Sequence, residues 1–300
     1  MRSDTETGSH MKQILLHPNS SKQGIRENCR RVFDALTECG AQVVALDEDR
    51  LFFEGKSPSA ILPRAEAVRR ADIAVILGGD GTLLHFAQTA AQADLPLLGI
   101  NMGHVGFMTE LERDELAYLK DVVDGRYTID RRMMLDVTIT DAKGQTRFLG
   151  AALNDAVVAK GSLFRVVELN VSADGQNMIT YSGDGIVIAT PTGSTAYSMS
   201  AGGPIVEPEA SNLIITPICA HGMYAKSYVL SDHRVIRVTA KKPDEKPVYV
   251  SVDGGESCSL LEGDTLCIRK SDLKTSLIRV KGRNFYDILS DKLSERRKRK

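Results

Sequence analysis

The stretch Ile73-Ala74-Val75-Ile76-Leu77-Gly78-Gly79-Asp80-Gly81-Thr82-Leu83-Leu84 decides how the chain is read. An apolar run of strand length ends in a glycine-rich turn that carries one carboxylate, and a helical pattern follows. Glycines at a strand end let the backbone come close to a phosphate, and the helix N-terminus that follows presents free N–H donors to an anion. A buried carboxylate at such a place opposes phosphate binding. It makes chemical sense if Asp80 takes a proton from, or orients, a hydroxyl that attacks a phosphoryl group. Two other phosphate motifs are excluded by spelling. The dinucleotide fingerprint needs glycine or alanine where Leu84 stands, and Gly55-Lys56-Ser57 ends like a P-loop but has Arg50 in place of its first glycine.

Working outward, residues 12–125 alternate short apolar strands with helical periodicity. Strands are expected at 12–16, 42–46, 73–77 and 97–100. Helices are expected at 63–70, 81–91 and 113–123 and along Ile25, Cys29, Val32, Phe33, Leu36 and Cys39, with Gly40 as the stop. This alternation predicts an α/β N-terminal domain with an open, mostly parallel sheet. In such sheets ligands sit beyond the carboxyl ends of the strands, so the turns at 78–82 and Asn101-Met102-Gly103-His104-Val105-Gly106 are expected to face one crevice.

After Tyr127 the texture changes to short β-type runs at 134–140, 166–171, 177–181, 186–189, 235–239, 248–252, 265–269 and 277–280. Asp174-Gly175 between two of them is a hairpin signal. The expected organisation is an α/β domain over 12–130, a β-rich dinucleotide-binding domain over 131–280, and a C-terminal segment over 281–300, helical at 284–293, that packs back on the first domain.

Length and charge bound the function. Three hundred residues with 42% hydrophobic content suit two globular domains, and a net charge of −1 with a pI near 6.6 gives no general attraction to nucleic acid or an anionic membrane. No apolar run has the length of a membrane span, and no signal-peptide pattern opens the chain. Cys29, Cys39, Cys219, Cys258 and Cys267 are odd in number and never spaced as C-x-x-C, which indicates neither a disulfide framework nor a zinc site. Cys29 and Cys39 read as core and His104 has no partner at ligand spacing, so no protein-bound metal is assigned. The expectation is a cytoplasmic protein with small-molecule partners. Gly8-Ser9-His10-Met11 has the composition of a cloning junction, and the native start is expected at Met11. The basic end Glu295-Arg296-Arg297-Lys298-Arg299-Lys300 reads as a solvated tail.

Two further clusters carry chemistry. Asp184-Gly185 precedes Thr190-Pro191-Thr192-Gly193-Ser194-Thr195-Ala196-Tyr197-Ser198-Met199-Ser200-Ala201-Gly202-Gly203-Pro204, a run dense in hydroxyls and glycines with Tyr197 available to stack on a base. It is not a serine-hydrolase elbow, because Ser198 stands where that motif around Ser200 needs glycine. Leu153-Asn154-Asp155 offers an amide and an acid suited to ribose hydroxyls or an adenine edge; alone, the pair also reads as an ordinary turn.

The glycine-aspartate turn, Asn154-Asp155 and the run from Thr190 to Pro204, in this order, resemble the three hallmarks of the NAD kinases. The first is shared with diacylglycerol and sphingosine kinases and more loosely with phosphofructokinases; the third is far more specific. The resemblance implies transfer of the γ-phosphate of ATP, with Mg²⁺, to the adenosine 2′-hydroxyl of NAD to give NADP. It implies Asp80 as catalytic base, and Gly79, Gly81, Thr82 and His85 near the ligand. It further implies Asn154, Asp155 and Arg165 on the dinucleotide, and Asp184 with Thr195, Ala196, Tyr197, Ser198, Met199 and Ser200 at the adenine and ribose. Relatives are typically homodimers or homotetramers. Two positions depart from the pattern: Gly255, where many bacterial relatives have glutamine, and Ala225-Lys226-Ser227, where an arginine and proline are frequent. Two rival readings stand beside this one, a lipid or sugar kinase with the same turn and a non-catalytic NAD(P) sensor.

Overall fold

The structure, a computed structural model, describes residues 11–298 apart from 23, 104–105, 163–164, 223–224, 244 and 246. Gly8-Ser9-His10, His104 and the final Arg299-Lys300 therefore lie outside the described residues. The chain divides into two compact units. One comprises the chain up to Asp130 together with the segment from Ser276 onward, and the other is Arg131–Thr275.

In the first unit the strands Leu97–Asn101, Ile73–Gly78, Gln13–Pro18, Gln42–Leu46 and Ala60–Leu62 lie side by side in that order, all parallel. Every residue of Ile73–Gly78 is buried, as expected of a central parallel strand covered on both faces. The helix Ile25–Glu38 turns Ile25, Cys29, Val32, Phe33 and Leu36 into the core. Burial pushes the Cys29 thiol up to about 12, which suits an inert core residue. Leu277, near the end of the long strand Thr265–Arg279, pairs in parallel with Leu97.

Local competition explains where the expected elements shift. The helix expected at 113–123 is confined to Leu119–Val123, preceded by a 3-10 turn Leu116–Tyr118. Leu111 and Glu112 instead pair with Ile100 and Asn101, and the Glu115 carboxylate accepts the Glu112 N–H at 2.8 Å, so the chain turns before it can coil. The 3-10 segment Asp47–Phe53 and the edge strand Ala60–Leu62 had no periodicity to announce them. The separate runs at 265–269 and 277–280 are parts of one strand, Thr265–Arg279.

The second unit is antiparallel. One sheet contains Gln176–Gly183, Val167–Ala173, Ile236–Lys241 and the first part of Thr265–Arg279, with the hairpin of Thr128–Thr140 and Thr146–Ala152 attached. The turn joining the first two strands has Asp174 at φ 49° and Gly175 at φ 81°, the left-handed pair that a tight hairpin requires. The other sheet runs Tyr228–Ser231, Asn212–Ile218, Gly185–Ala189, Asp155–Lys160, Val248–Val252 and Cys258–Ser259. Alternate residues sort between two cores. Ala156, Val158, Ile186 and Ile188 join the large cluster with Val167, Leu169, Ile236 and Ile268, whereas Val187, Ala189 and Ile214 face a smaller one closed by Ala201 and Val206. The hydroxyl-rich segment after Ala189 is thereby folded back over the second sheet.

Candidate active site

In the first unit the helix Asp80–Gln92 starts directly after the strand, so Asp80 holds a carboxylate at a helix N-terminus, where the backbone dipole favours it. Its oxygens are aimed by the neighbouring turn. Oδ2 accepts the N–H of Phe107 at 2.7 Å, and Oδ1 accepts those of Met108 at 3.0 Å and Thr109 at 3.3 Å. Lys292 Nζ approaches Oδ2 at 3.4 Å. Asp80 is 26% exposed rather than buried, which corrects the sequence reading; its charge is offset by donors rather than left unpaired in the interior.

The glycines around this acid fall into two kinds. A Cβ on Gly106 would lie 2.1 Å from Asp80 Oδ1, and one on Gly78 would lie 2.2 Å from Thr82 Oγ1, so the protein itself excludes side chains there. Gly79 and Gly81 have no positive φ, and among the described residues, chain neighbours and the helix's own backbone aside, no atom lies within 4 Å of a built Cβ. Among the described residues, no contact calls for glycine at those two positions.

Thr82 Oγ1 accepts the Asn19 side-chain N–H at 2.6 Å, which ties the helix start to the end of the strand Gln13–Pro18. Beside it opens a cavity of about 410 Å³ lined by Asn19, Arg64, Thr82, His85 and Phe86 among others. His85 stands exposed on its rim. The described ends of the second turn meet the first: Met102 N–H donates to Gly78 O at 2.7 Å, and Gly106 lies against Asp80.

In the second unit the organising residue is Asp253, which the sequence reading passed over. It occupies a left-handed turn at φ 50° after the strand Val248–Val252, and its carboxylate accepts the N–H groups of Leu153 at 2.7 Å, Asn154 at 2.8 Å and Asp155 at 2.9 Å. Thr190 clamps the same segment from the other side. Its N–H reaches Asn154 O at 2.8 Å and its hydroxyl reaches Leu153 O at 2.6 Å. A Cβ on Gly193 would lie 2.0 Å from Asn154 O. The Asn154-Asp155 pair is thus a rigid platform, with Asn154 half-buried and Asp155 buried. Burial, and then the Asp253 charge, push the Asp155 carboxyl up to about 7.

The remaining candidates differ in accessibility. Asp184 is ion-paired with Lys160 at 2.6 Å. Tyr197 is 44% exposed, Ser200 is exposed, and Ala196 and Met199 are half-buried. Thr195 is buried, with its hydroxyl donating to Thr192 O at 3.2 Å. The Ser198 hydroxyl is fully buried and bonded to that of Thr216 at 2.9 Å, so it braces the loop. Arg165 is exposed, and its guanidinium reaches the Glu245 carbonyl at 3.4 Å. Arg132, buried and donating to Thr192 Oγ1 at 3.2 Å, is another support that no local pattern announced.

Comparison with known proteins assigns this geometry to a family. A family model described as the ATP-NAD kinase N-terminal domain matches residues 56–127, and one described as the ATP-NAD kinase C-terminal domain matches residues 153–280. The NAD kinase of Natranaerobius thermophilus is 40% identical over 287 residues, covering 95% of this chain and 98% of the relative. The NAD kinase of Symbiobacterium thermophilum is 43% identical over 239 residues, covering 79% and 83%. Among solved structures, the Archaeoglobus fulgidus NAD kinase in complex with ATP aligns with a TM-score of 0.72 at 26% identity, over 94% of this chain and 98% of its own. Yeast NADH kinase complexed with NADH shares the fold with a TM-score of 0.86 at 23% identity, over 95% and 88%. Through both family models and relatives that span nearly its whole length, the chain belongs to the NAD kinase family, phosphotransferases that phosphorylate NAD to NADP.

Proposed function

We propose that Asp80 is the base of an ATP-dependent 2′-phosphorylation of NAD and that Gly79 and Gly81 leave the space through which the phosphates approach it. The observation that carries this reading is the contrast among the glycines: Gly78 and Gly106 are demanded by protein contacts, whereas Gly79 and Gly81 are not. Glycine at a position free of steric demand, on the first turn of a helix, suits the close approach of an anion to backbone N–H groups.

In this reading Asp80 Oδ2 accepts the proton of the adenosine 2′-hydroxyl as its oxygen attacks the γ-phosphorus, and ADP leaves. Oδ1, bound by two N–H groups, holds the carboxylate in place. The divalent cation enters with ATP as part of the substrate and neutralises phosphate charge. The donor's phosphates are assigned to the cavity beside Thr82, where Arg64 and Asn19 supply N–H donors. Asn154, Asp155, Arg165, Asp184 and the segment from Thr195 to Ser200 are assigned to the dinucleotide, with Ser198 acting through its buried hydrogen bond. Asp155, poised near neutrality, is able to donate or accept a hydrogen bond to a ribose or amide group.

Among the described residues no helix is long and apolar enough to cross a membrane, and all five cysteines are free thiols. Free thiols suit a reducing compartment, and we place the protein in the cytoplasm. A homodimer or homotetramer is carried over from the family resemblance, and light scattering of the purified chain tests it.

The deciding experiment incubates the protein with NAD, ATP and Mg²⁺ and follows NADP with an NADP-specific dehydrogenase. NADP forming only when every component is present supports the reading. Dinucleotide binding without product would return the protein to the sensor class, and phosphorylation of a lipid or sugar without an NAD requirement would return it to the other kinases.

A further inference from the structure

The C-terminal helix Phe285–Lys298 brings a cation to the acid of the first unit. Lys292 Nζ lies 3.4 Å from Asp80 Oδ2, the same oxygen that accepts the Phe107 N–H at 2.7 Å. The ammonium also sits 4.3 Å from the centroid of the Phe107 ring, and Phe285, at the start of the helix, meets that ring at 6.1 Å. Phe107 therefore binds the carboxylate through its backbone and the cation through its ring, and it holds the helix at two points.

Among the described residues Lys292 is the one cation within 4.0 Å of Asp80. Both side chains are about a quarter exposed, at 24% and 26%, and an ion pair so accessible adds little to folding stability. Its electrostatic effect falls on the turn itself. A carboxylate beside Gly79 and Gly81 repels an incoming phosphate chain; an ammonium at Oδ2 cancels that field while leaving the N–H bonds that orient the acid.

We propose that Lys292 is a positioning residue for the phosphoryl transfer, supplying the counter-charge that lets a polyphosphate approach the glycine turn. The proposal rests on the reading of Asp80 as the base, and it adds the C-terminal helix to the catalytic machinery.

The test compares Lys292→Met, which keeps an apolar stem, with Lys292→Arg and Asp80→Asn in steady-state kinetics against NAD and ATP, with thermal unfolding of each variant. Lys292→Met is expected to lower kcat roughly ten- to a hundredfold and to raise the KM for ATP, with the KM for NAD changed less than about twofold. Lys292→Arg is expected to recover kcat to within about threefold of the parent. Phe107→Leu, which keeps the N–H bond but removes the ring beneath the ammonium, should cost several-fold in kcat and be non-additive with Lys292→Met. This cycle also serves if the Met variant unfolds early, with Lys292→Gln in its place. A Lys292→Met enzyme within twofold of the parent, while Asp80→Asn is at least a hundredfold slower, overturns the proposal and leaves the base intact. So does an Arg variant no faster than the Met variant at equal melting temperature, or full additivity with Phe107→Leu. Normal turnover by Asp80→Asn overturns the reading of the base, and this proposal with it.

Discussion

Two aspartates in this chain, each beside the end of a strand, stand in different surroundings. Asp80 sits on a helix N-terminus, accepts three N–H bonds and has an ammonium alongside, so its carboxylate is fixed in direction. Asp155 is buried beside Asp253, and it is Asp253 that takes the three N–H bonds, leaving Asp155 to face burial and a like charge. The pair shows that an aspartate's role is set by which carboxylate receives the backbone donors. A carboxylate that receives them is aimed, and Asp155, buried beside one, is pushed up toward neutrality.

Substitutions break this comparison at several points. The largest effect is expected at the acid that is aimed. Asp80→Asn should lower turnover by about 10² to 10⁴ with NAD binding nearly unchanged, measured by single-turnover kinetics beside dinucleotide titration. Next comes the pushed acid. The folded chain holds the Asp155 proton more tightly than the unfolded chain does, so the group costs nothing below about pH 4, and its penalty grows until pH passes about 7. Asp155→Asn should therefore stabilise the protein at pH 8, by at most about 4 kcal/mol, and leave it unchanged at pH 4. Denaturant unfolding at the two pH values reads the difference, and equal shifts at both would sink the assignment.

Asp253→Ala sharpens the same contrast, because it strands three N–H groups while relieving Asp155. A net loss of about 2 to 3 kcal/mol is expected, together with weaker NAD binding, and both are visible in thermal unfolding with and without NAD. The smallest effect on stability is expected at the open glycines. Gly81→Ala meets no atom of the described residues beyond its own helix, so its melting temperature should match the parent while the KM for ATP rises about tenfold. Gly106→Ala, whose Cβ would strike Asp80 Oδ1, should lower both stability and kcat. If Gly81→Ala binds ATP normally, the space in front of the turn is not a phosphate path.

Much of the fold was legible because its signals are local. The strand Ile73–Gly78 and its helix, the strands Gln42–Leu46 and Val248–Val252, and the hairpin at Asp174-Gly175 each announce themselves within a dozen residues, through periodicity or turn chemistry. The helix expected at 113–123 was misjudged because a two-residue strand pairing, invisible to periodicity, held its first turn. That the Ser198 hydroxyl points inward was not legible, because hydroxyl density in a sequence does not say which hydroxyls are buried. Asp253 was overlooked because its partners are 98 to 100 residues away.

By itself, the sequence determined the element types, the strand-end location of the acid and the chemistry that a glycine-flanked carboxylate can perform, since these depend on neighbours along the chain. The tertiary structure alone decided that Asp80 is aimed by Phe107, Met108 and Thr109 and faced by Lys292, 212 residues distant, and that Asp155 is the carboxylate pushed up by burial and the Asp253 charge. The physical reason is that hydrogen bonds and Coulomb forces act over a few ångströms of space, and only folding determines which groups come within that reach.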